Sequence, residues 1–150
     1  MTSGRRPSYD DAGNAIVEFV WLAVLLMVPL VYLMLTVFRV QNASYAVSSA
    51  TREAGRVFVT APDSGTGRRR ALESAALVMR DAGLTLDRGQ VRITCSATPC
   101  LTPGARVDVA IGYDASLPFL PGLLGRHRTA SVHVTSRHLE VVDRYRPARP

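Results

Sequence analysis

The chain has 150 residues and a net charge of +6, because its 18 basic residues, all arginine, outnumber its 12 acidic residues. About a hundred residues remain beyond the N-terminal leader and apolar segment, which is enough for one small domain and excludes two. The basic surplus fits either attraction to an anionic polymer such as nucleic acid or a solvated surface with scattered arginines.

The N-terminal part of the chain combines a polar leader, residues 1–13, with a long apolar segment. Between Ala15 and Phe38 the only charged side chain is that of Glu18. About two dozen helical residues at about 1.5 Å each span about 36 Å, which is enough to cross a hydrocarbon core of about 30 Å. The sequence therefore predicts one transmembrane helix over residues 14–38.

Glu18 lies near one end of this segment, where an acidic side chain is costly and usually marks function. It follows Asn14 by one helical turn, so both residues lie on the same helix face. If the chain were cut after Gly13, the new amino group of Asn14 could pair with the carboxylate, in the same chain or in a neighbouring subunit. Two unit charges about 4 Å apart attract by about 4 kcal/mol at an effective dielectric near ~20, which would offset the burial of Glu18.

A polar leader that ends in Gly13, followed by Glu18 and Phe19 at the start of an apolar helix, resembles the prepilin-peptidase motif of type IV pilins. The glutamate-phenylalanine pair is closest to the Flp/Tad class. Within that class the chain resembles the TadE-like minor pilins, or pseudopilins, because the major Flp subunit is much shorter. Residues 50–56 are similar to an Ala/Arg/Glu-rich patch that TadE-like proteins carry after the membrane helix. The resemblance covers residues 13–57.

The resemblance implies that a prepilin peptidase removes the leader between Gly13 and Asn14. It also implies assembly with other pilin-like subunits and with Tad membrane platform proteins, through the N-terminal helix, with Glu18 and Phe19 as assembly residues. The charged residues of the patch form a candidate helix interface: Arg52, Glu53 and Arg56.

Arginines beyond the apolar segment oppose the positive-inside rule, and the charges of the leader nearly cancel. The pilin resemblance nevertheless implies a single-pass protein of the cell membrane with a cytoplasmic N-terminus and an extracytoplasmic domain, which a surface filament could incorporate.

The two cysteines, Cys95 and Cys100, agree with an extracytoplasmic domain. A zinc site would need two further ligands, and no second Cys/His pair has suitable spacing. The sequence therefore predicts a short-range disulfide and an oxidising compartment.

Helical periodicity continues from residue 39 to residue 61. Small apolar residues recur there at spacings of three and four: Val40, Ala43, Val47, Ala50, Ala54, Val57 and Ala61. This narrow stripe permits close approach, either of the domain's own sheet or of a helix in another subunit.

Turn-forming residues 62–67 end the helix. A second helix is predicted from Arg69 to Ala82, ended by Gly83, with one apolar face: Leu72, Ala75, Ala76 and Met79.

Apolar and polar residues alternate with the period of a strand near residues 91–95, 107–113 and 130–134. The fold class is therefore α+β, with a long N-terminal helix followed, in residues 62–143, by a short helix and a small three-stranded antiparallel sheet. This is also the layout of the type IV pilin fold. The apolar loop Pro118–Gly125 is either tucked under the sheet or a contact surface. The tail, residues 144–150, is expected to be disordered.

The sequence shows no catalytic motif or cofactor fingerprint. His133 and His138 differ in strand parity and would face opposite sides of a sheet, which opposes a shared metal site. We therefore expect no enzyme activity, no cofactor and no metal.

The expected function is that of a minor pilin or pseudopilin of a Flp/Tad-type pilus or related secretion apparatus. One alternative is a signal-anchored extracytoplasmic adhesion or ligand-binding module that is not processed. Another is a minor pilin whose basic domain binds DNA or an anionic surface polymer. Proteolytic processing separates the first alternative from the leading expectation, and salt-dependent binding would reveal the second.

Overall fold

The structure is a computed structural model that describes residues 11–117, residues 131–145 and Pro147, with side chains from residue 15 onward. The first ten leader residues, the loop Pro118–Gly125 and part of the tail lie outside the described residues. The elements are helix α1 (Asp11–Thr60), helix α2 (Ser64–Asp81), a short 3-10 helix (Arg88–Gln90), and strands β1 (Val91–Cys95), β2 (Arg106–Ser116) and β3 (Ser131–Val141). The predicted α+β class, with its long apolar helix, second helix and three-stranded antiparallel sheet, is confirmed.

Helix α1 has 50 residues and passes through Pro29. It begins at Asp11, so the end of the predicted leader is already helical. Its last helical residue is Thr60, and Pro62 follows shortly after. A proline disfavours the helical conformation of the residue before it, here Ala61, which explains why α1 ends at this point. The chain divides between Val37 and Phe38 into two compact units.

The second half of α1 buries a stripe of small residues in the core of the domain. The predicted stripe residues Ala43, Val47, Ala50 and Ala54 are all buried there. Near the end of α1 the larger Phe58 takes the next core position and is 1% exposed. Phe58 follows Ala54 by four residues, so the two side chains lie on the same helix face. The predicted stripe is therefore correct for these residues and for Ala61, which is also buried, whereas Val57 is half-buried and Phe58 occupies the core beside it.

Helix α2 begins at Ser64, earlier than the predicted Arg69. Its N-cap is Asp63, whose carboxylate accepts a hydrogen bond of 2.8 Å from the backbone N–H of Thr66. This bond also lowers the pKa of the Asp63 carboxyl group. The prediction of a turn over residues 62–67 was wrong in its second part, because the cap outweighs the two glycines. Gly67 lies in the first turn of α2, where space is limited. A Cβ atom at this position would lie 3.1 Å from the Phe58 carbonyl oxygen, so glycine suits the position.

The C-terminal end of α2 is closed by Gly83, as the sequence predicts. Gly83 has a φ of +74°, and its N–H donates to the Arg80 carbonyl at 2.9 Å. The N–H of Leu84 donates to the Met79 carbonyl at 2.9 Å, which completes a Schellman motif. In addition, the Asn42 amide of α1 donates to the carbonyl of Ala82, the C-cap residue, at 3.1 Å. The end of α2 is thereby bonded to α1.

The sheet has the strand order β1-β2-β3, and both neighbouring pairs are antiparallel. One face contributes apolar side chains to the core that α1 and α2 share: Ile93, Val107, Val109 and Ile111. On the corresponding face of β3, Val134 packs against the core as the predicted alternation requires, and Val132 is 38% exposed. The strand continues to Val141, beyond the predicted residue 134, and its added part presents Ser136, His138 and Glu140 half-buried on this face.

Candidate functional site

The first candidate site is the apolar part of α1 within the first unit. Its large aliphatic, methionine, phenylalanine and tryptophan side chains from Ile16 to Val37 are 45% to 74% exposed. Among the described helices, α1 is the one that is long and apolar enough to cross a membrane, and no part of its apolar window is buried. The Thr36 hydroxyl donates to the Tyr32 carbonyl at 2.9 Å, so it brings no unsatisfied donor into this surface. This exposed apolar surface is suited to contact with lipid or with other helices.

The predicted processing and assembly residues all lie on α1. The backbones of Gly13 and Asn14 are helical, and the helix continues through Glu18 without interruption. A separation of one turn places Asn14 and Glu18 on the same face, about 6 Å apart along the axis. Glu18 is exposed, and the Phe19 ring beside it is 72% exposed. The structure therefore leaves the carboxylate and the ring accessible to another helix.

The predicted patch, residues 50–56, divides between two faces of α1. Its small residues Ala50, Thr51, Ala54 and Gly55 are buried against the domain. The Thr51 hydroxyl is satisfied by a hydrogen bond of 2.6 Å to the Val47 carbonyl. The predicted interface residues Arg52 and Arg56 are exposed, and Glu53 is half-buried. The patch thus joins the helix to its own sheet on one side and presents charge on the other.

Glu53 and Arg56 bind each other rather than acting as separate charges. The Arg56 guanidinium donates twice to the Glu53 carboxylate, from Nε at 3.0 Å and from Nη2 at 2.7 Å. These bonds lower the pKa of Glu53 and raise that of Arg56. Glu53 and Arg56 therefore use their charged groups to bind each other. Arg52 is the remaining charged residue of the predicted patch, and it is not part of this pair.

Gly55 marks a close approach of α1 to the sheet that the periodicity of the sequence does not predict. A Cβ atom at this position would lie 2.9 Å from Cγ of Glu140, 3.6 Å from Cδ2 of His138 and 3.8 Å from Cγ2 of Val109. The ring of His138 is itself hydrogen-bonded to Glu140 at 3.0 Å. A glycine inside an otherwise regular helix was the available signal, since such a residue often has a packing reason.

The two cysteines lie at disulfide-bonding distance, as the sequence predicts, with their Cα atoms 5.3 Å apart. Cys95 ends β1, and Cys100 belongs to the connection that leads to β2. Side-chain hydrogen bonds hold the same connection: the Thr102 hydroxyl donates to the Pro99 carbonyl at 2.7 Å, and Ser96 Oγ accepts from the Arg106 N–H at 2.8 Å. The pair therefore fastens the turn between two strands.

The outer face of the sheet carries a shallow groove of about 550 Å³, lined in part by Arg92, Asp114, His133 and Arg137. His133 Nδ1 and Asp114 Oδ1 lie 2.7 Å apart, and both side chains are largely exposed. His138 lies on the opposite face of β3, as strand parity predicts. No group of three or more potential metal-ligating side chains occurs within residues 15–117 and 131–145. The outer face can therefore offer charged hydrogen-bonding groups to a ligand.

Comparison with protein-family models, with curated proteins and with solved structures found no match for this chain.

Proposed function

We propose that this chain is a minor pilin, or pseudopilin, of a Flp/Tad-type pilus or related secretion apparatus. A prepilin peptidase removes the leader between Gly13 and Asn14, α1 anchors the protein in the cell membrane, and the trimmed helix packs against other pilin-like subunits. The role is structural and involves neither catalysis nor a cofactor. The observation that carries the proposal is the exposed apolar half of α1, with Glu18 one turn beyond the cleavage point.

The carboxylate of Glu18 favours an assembling subunit over a simple membrane anchor. An anchor gains nothing from Glu18, because a charge at mid-membrane costs about 2.5–3.5 kcal/mol on insertion scales and less near the interface. After trimming, the amino group of Asn14 provides a positive charge on the same helix or on a neighbouring one. Pairing in a low dielectric then offsets the burial and fixes the axial register of adjacent helices.

Two features of the second unit support the same assignment. The small α+β domain, built from part of a long helix, a short helix and an antiparallel sheet, agrees with a type IV pilin-like fold. The cysteine pair at disulfide-bonding distance agrees with an extracytoplasmic location for the domain, since such bonds persist in oxidising compartments. In this topology the leader lies in the cytoplasm, and the Tad platform proteins meet the helix in the membrane.

Intact-mass measurement of the membrane-extracted protein tests the processing step. With the cognate peptidase present we expect a mature chain that begins at Asn14, and Gly13→Leu should retain the whole leader because leucine fills the space needed around the scissile bond. Gly4→Leu is the matched control within the leader and should be trimmed normally. An intact leader in the wild-type protein would contradict the proposal.

Zero-length carbodiimide crosslinking tests the pairing of Glu18. The chain contains no lysine, so a carboxylate of one copy can form an amide with another copy only at the N-terminal amine. We expect a mapped crosslink between Glu18 and Asn14 in the assembled protein. Glu18→Gln should lose this crosslink and co-purify less with pilin-like subunits, yet resist carbonate extraction like the wild type. Glu73→Gln, at another exposed glutamate, is the control. Normal co-purification of Glu18→Gln would remove Glu18 from assembly.

The groove on the outer face of the sheet favours a second candidate, a signal-anchored ligand-binding module. Arg92 and Arg137 at this groove could bind an anionic polymer. This function requires no processing. A protein that keeps its leader in the presence of the peptidase, and whose salt-dependent polymer binding is lost in Arg92→Gln, would replace the pilin assignment. A trimmed protein with the same binding would be a minor pilin with an additional ligand.

A further inference from the structure

A groove of about 640 Å³ lies between α2 and the segment that leads into β1. Helix α2 buries one face in the core and presents a second face to this groove. The floor is apolar and half-buried: Leu72, Ala76, Leu86 and Val91. Leu77, at its side, is 55% exposed. The groove thus combines an apolar base with an opening to solvent.

Four arginines line the groove: Arg68, Arg69, Arg80 and Arg88. All four are exposed, and within the described residues none of them forms a salt bridge with a carboxylate. The lining also contains the carboxylates Glu73 and Asp87, so the positive groups outnumber the negative ones by two. Unpaired guanidinium groups recognise carboxylates through paired hydrogen bonds. The rim is therefore suited to an acidic ligand.

The dimensions of the groove fit an extended peptide. The lining residues of α2 run from Gly65 to Arg80, which corresponds to about 22 Å along the helix axis. Six residues of extended chain at about 3.3 Å each span about 20 Å, which is most of this distance. Alternate side chains of such a chain point to opposite sides, so one set can contact the apolar floor while the other reaches the arginines.

The lining opposes nucleic acid as the ligand. No aromatic side chain is among the lining residues, so bases would find no stacking surface. An apolar floor contributes little to a polyanion but much to a peptide with aliphatic side chains.

We propose that this groove binds an extended segment of a partner protein in which acidic residues alternate with aliphatic residues. The aliphatic side chains contact Leu72 and Leu77, and the carboxylates bind Arg68, Arg69 and Arg80. The proposal does not depend on the pilin assignment, because it rests on α2, the segment that leads into β1, and the first residue of β1.

Fluorescence anisotropy with the full chain in zwitterionic-lipid nanodiscs tests the site. The probe is a labelled hexapeptide that alternates glutamate and leucine, and the control peptide replaces glutamate with glutamine. We expect saturable binding of the acidic peptide that weakens with salt. Arg68→Gln/Arg80→Gln should weaken it about tenfold or more. Arg106→Gln/Arg144→Gln, which removes two exposed arginines elsewhere, should not change it.

Leu77→Gln separates a peptide groove from a merely basic surface. We expect it to weaken the acidic peptide at least about threefold through lost apolar contact. Thermal unfolding of every variant should match the wild type, since all the altered side chains are exposed. Equal binding of the glutamine peptide, or insensitivity to the groove arginines, would overturn the proposal. So would preferential binding of anionic vesicles or an oligonucleotide that depends on the arginines but not on Leu77.

Discussion

The two halves of α1 are built from different residues and meet different surroundings. From Ile16 to Val37 the side chains are large, apolar and exposed, whereas from Ala43 to Ala54 the inward side chains are small and fully buried. Burial within this chain therefore does not follow hydrophobicity. The large residues provide area for contacts outside the chain, and the small ones allow the sheet to approach the helix backbone closely.

The difference shows how one helix can serve two purposes. An alanine stripe is too weakly apolar to hold a membrane anchor, and a row of large side chains would keep the sheet away from the helix. Each half therefore has the residue sizes that its own contacts require. Substitutions at matched positions in the two halves should therefore differ in their effect on the stability of the domain.

Phe58→Ala and Phe19→Ala compare the same substitution in the two halves. Phe58 is 1% exposed and Phe19 is 72% exposed. We expect Phe58→Ala to reduce the free energy of unfolding of the domain by about 3–5 kcal/mol, because it leaves a cavity in the core. Phe19→Ala should leave it unchanged. Chemical denaturation of both variants in the same detergent measures the difference, and equal losses would contradict the division of α1 into an exposed and a buried half.

Ala54→Leu and Ala15→Leu test the importance of small residues. Ala54 is 0% exposed in the core, so a larger side chain must displace its core neighbours, at a cost of about 1–3 kcal/mol. Ala15 is exposed, and leucine there should not alter the stability of the domain. Thermal unfolding followed by near-ultraviolet circular dichroism measures both. A tolerated leucine at Ala54 would mean that the core around this residue is less closely packed than the structure shows.

Glu53→Gln has the smallest expected effect, because the Glu53–Arg56 pair lies at the surface. Its hydrogen bonds lower the pKa of Glu53 in the folded state. The stabilisation is therefore present above the ordinary carboxyl pKa and is lost as the pH falls through the lowered value. The wild type should exceed Glu53→Gln slightly in stability near neutral pH and converge with it in acid. A difference that persists in acid would assign the effect to packing.

Much of the fold follows from signals in the sequence. An apolar run longer than a membrane predicts the first half of α1, and period-two alternation predicts β1 and β2. The start of α2 was missed because Pro62, Gly65 and Gly67 are turn residues by composition. The hydrogen bond from Thr66 to Asp63 reverses that preference, and composition alone does not reveal which of two local structures gains the better bond.

The candidate sites also differ in how far the sequence predicts them. The placement of Asn14 and Glu18 on one face follows from helical spacing alone. The pairing of Glu53 with Arg56 could also have been predicted, since residues three apart on a helix are neighbours. The α2 groove could not, because it requires residues from α2 and from the segment before β1 to meet across the fold. Local periodicity does not predict this tertiary contact.

The hydrogen bond from Asn42 to the carbonyl of Ala82 has a consequence for local opening of the domain. Helix ends ordinarily fray, and their amide hydrogens exchange with solvent through small openings that leave the rest of the fold intact. Here the last turn of α2 is bonded to a residue of α1 that is forty positions away in the chain. The amides of Gly83 and Leu84 should therefore exchange slowly and in step with those around Asn42, and Asn42→Ala should release them to exchange as an ordinary helix end.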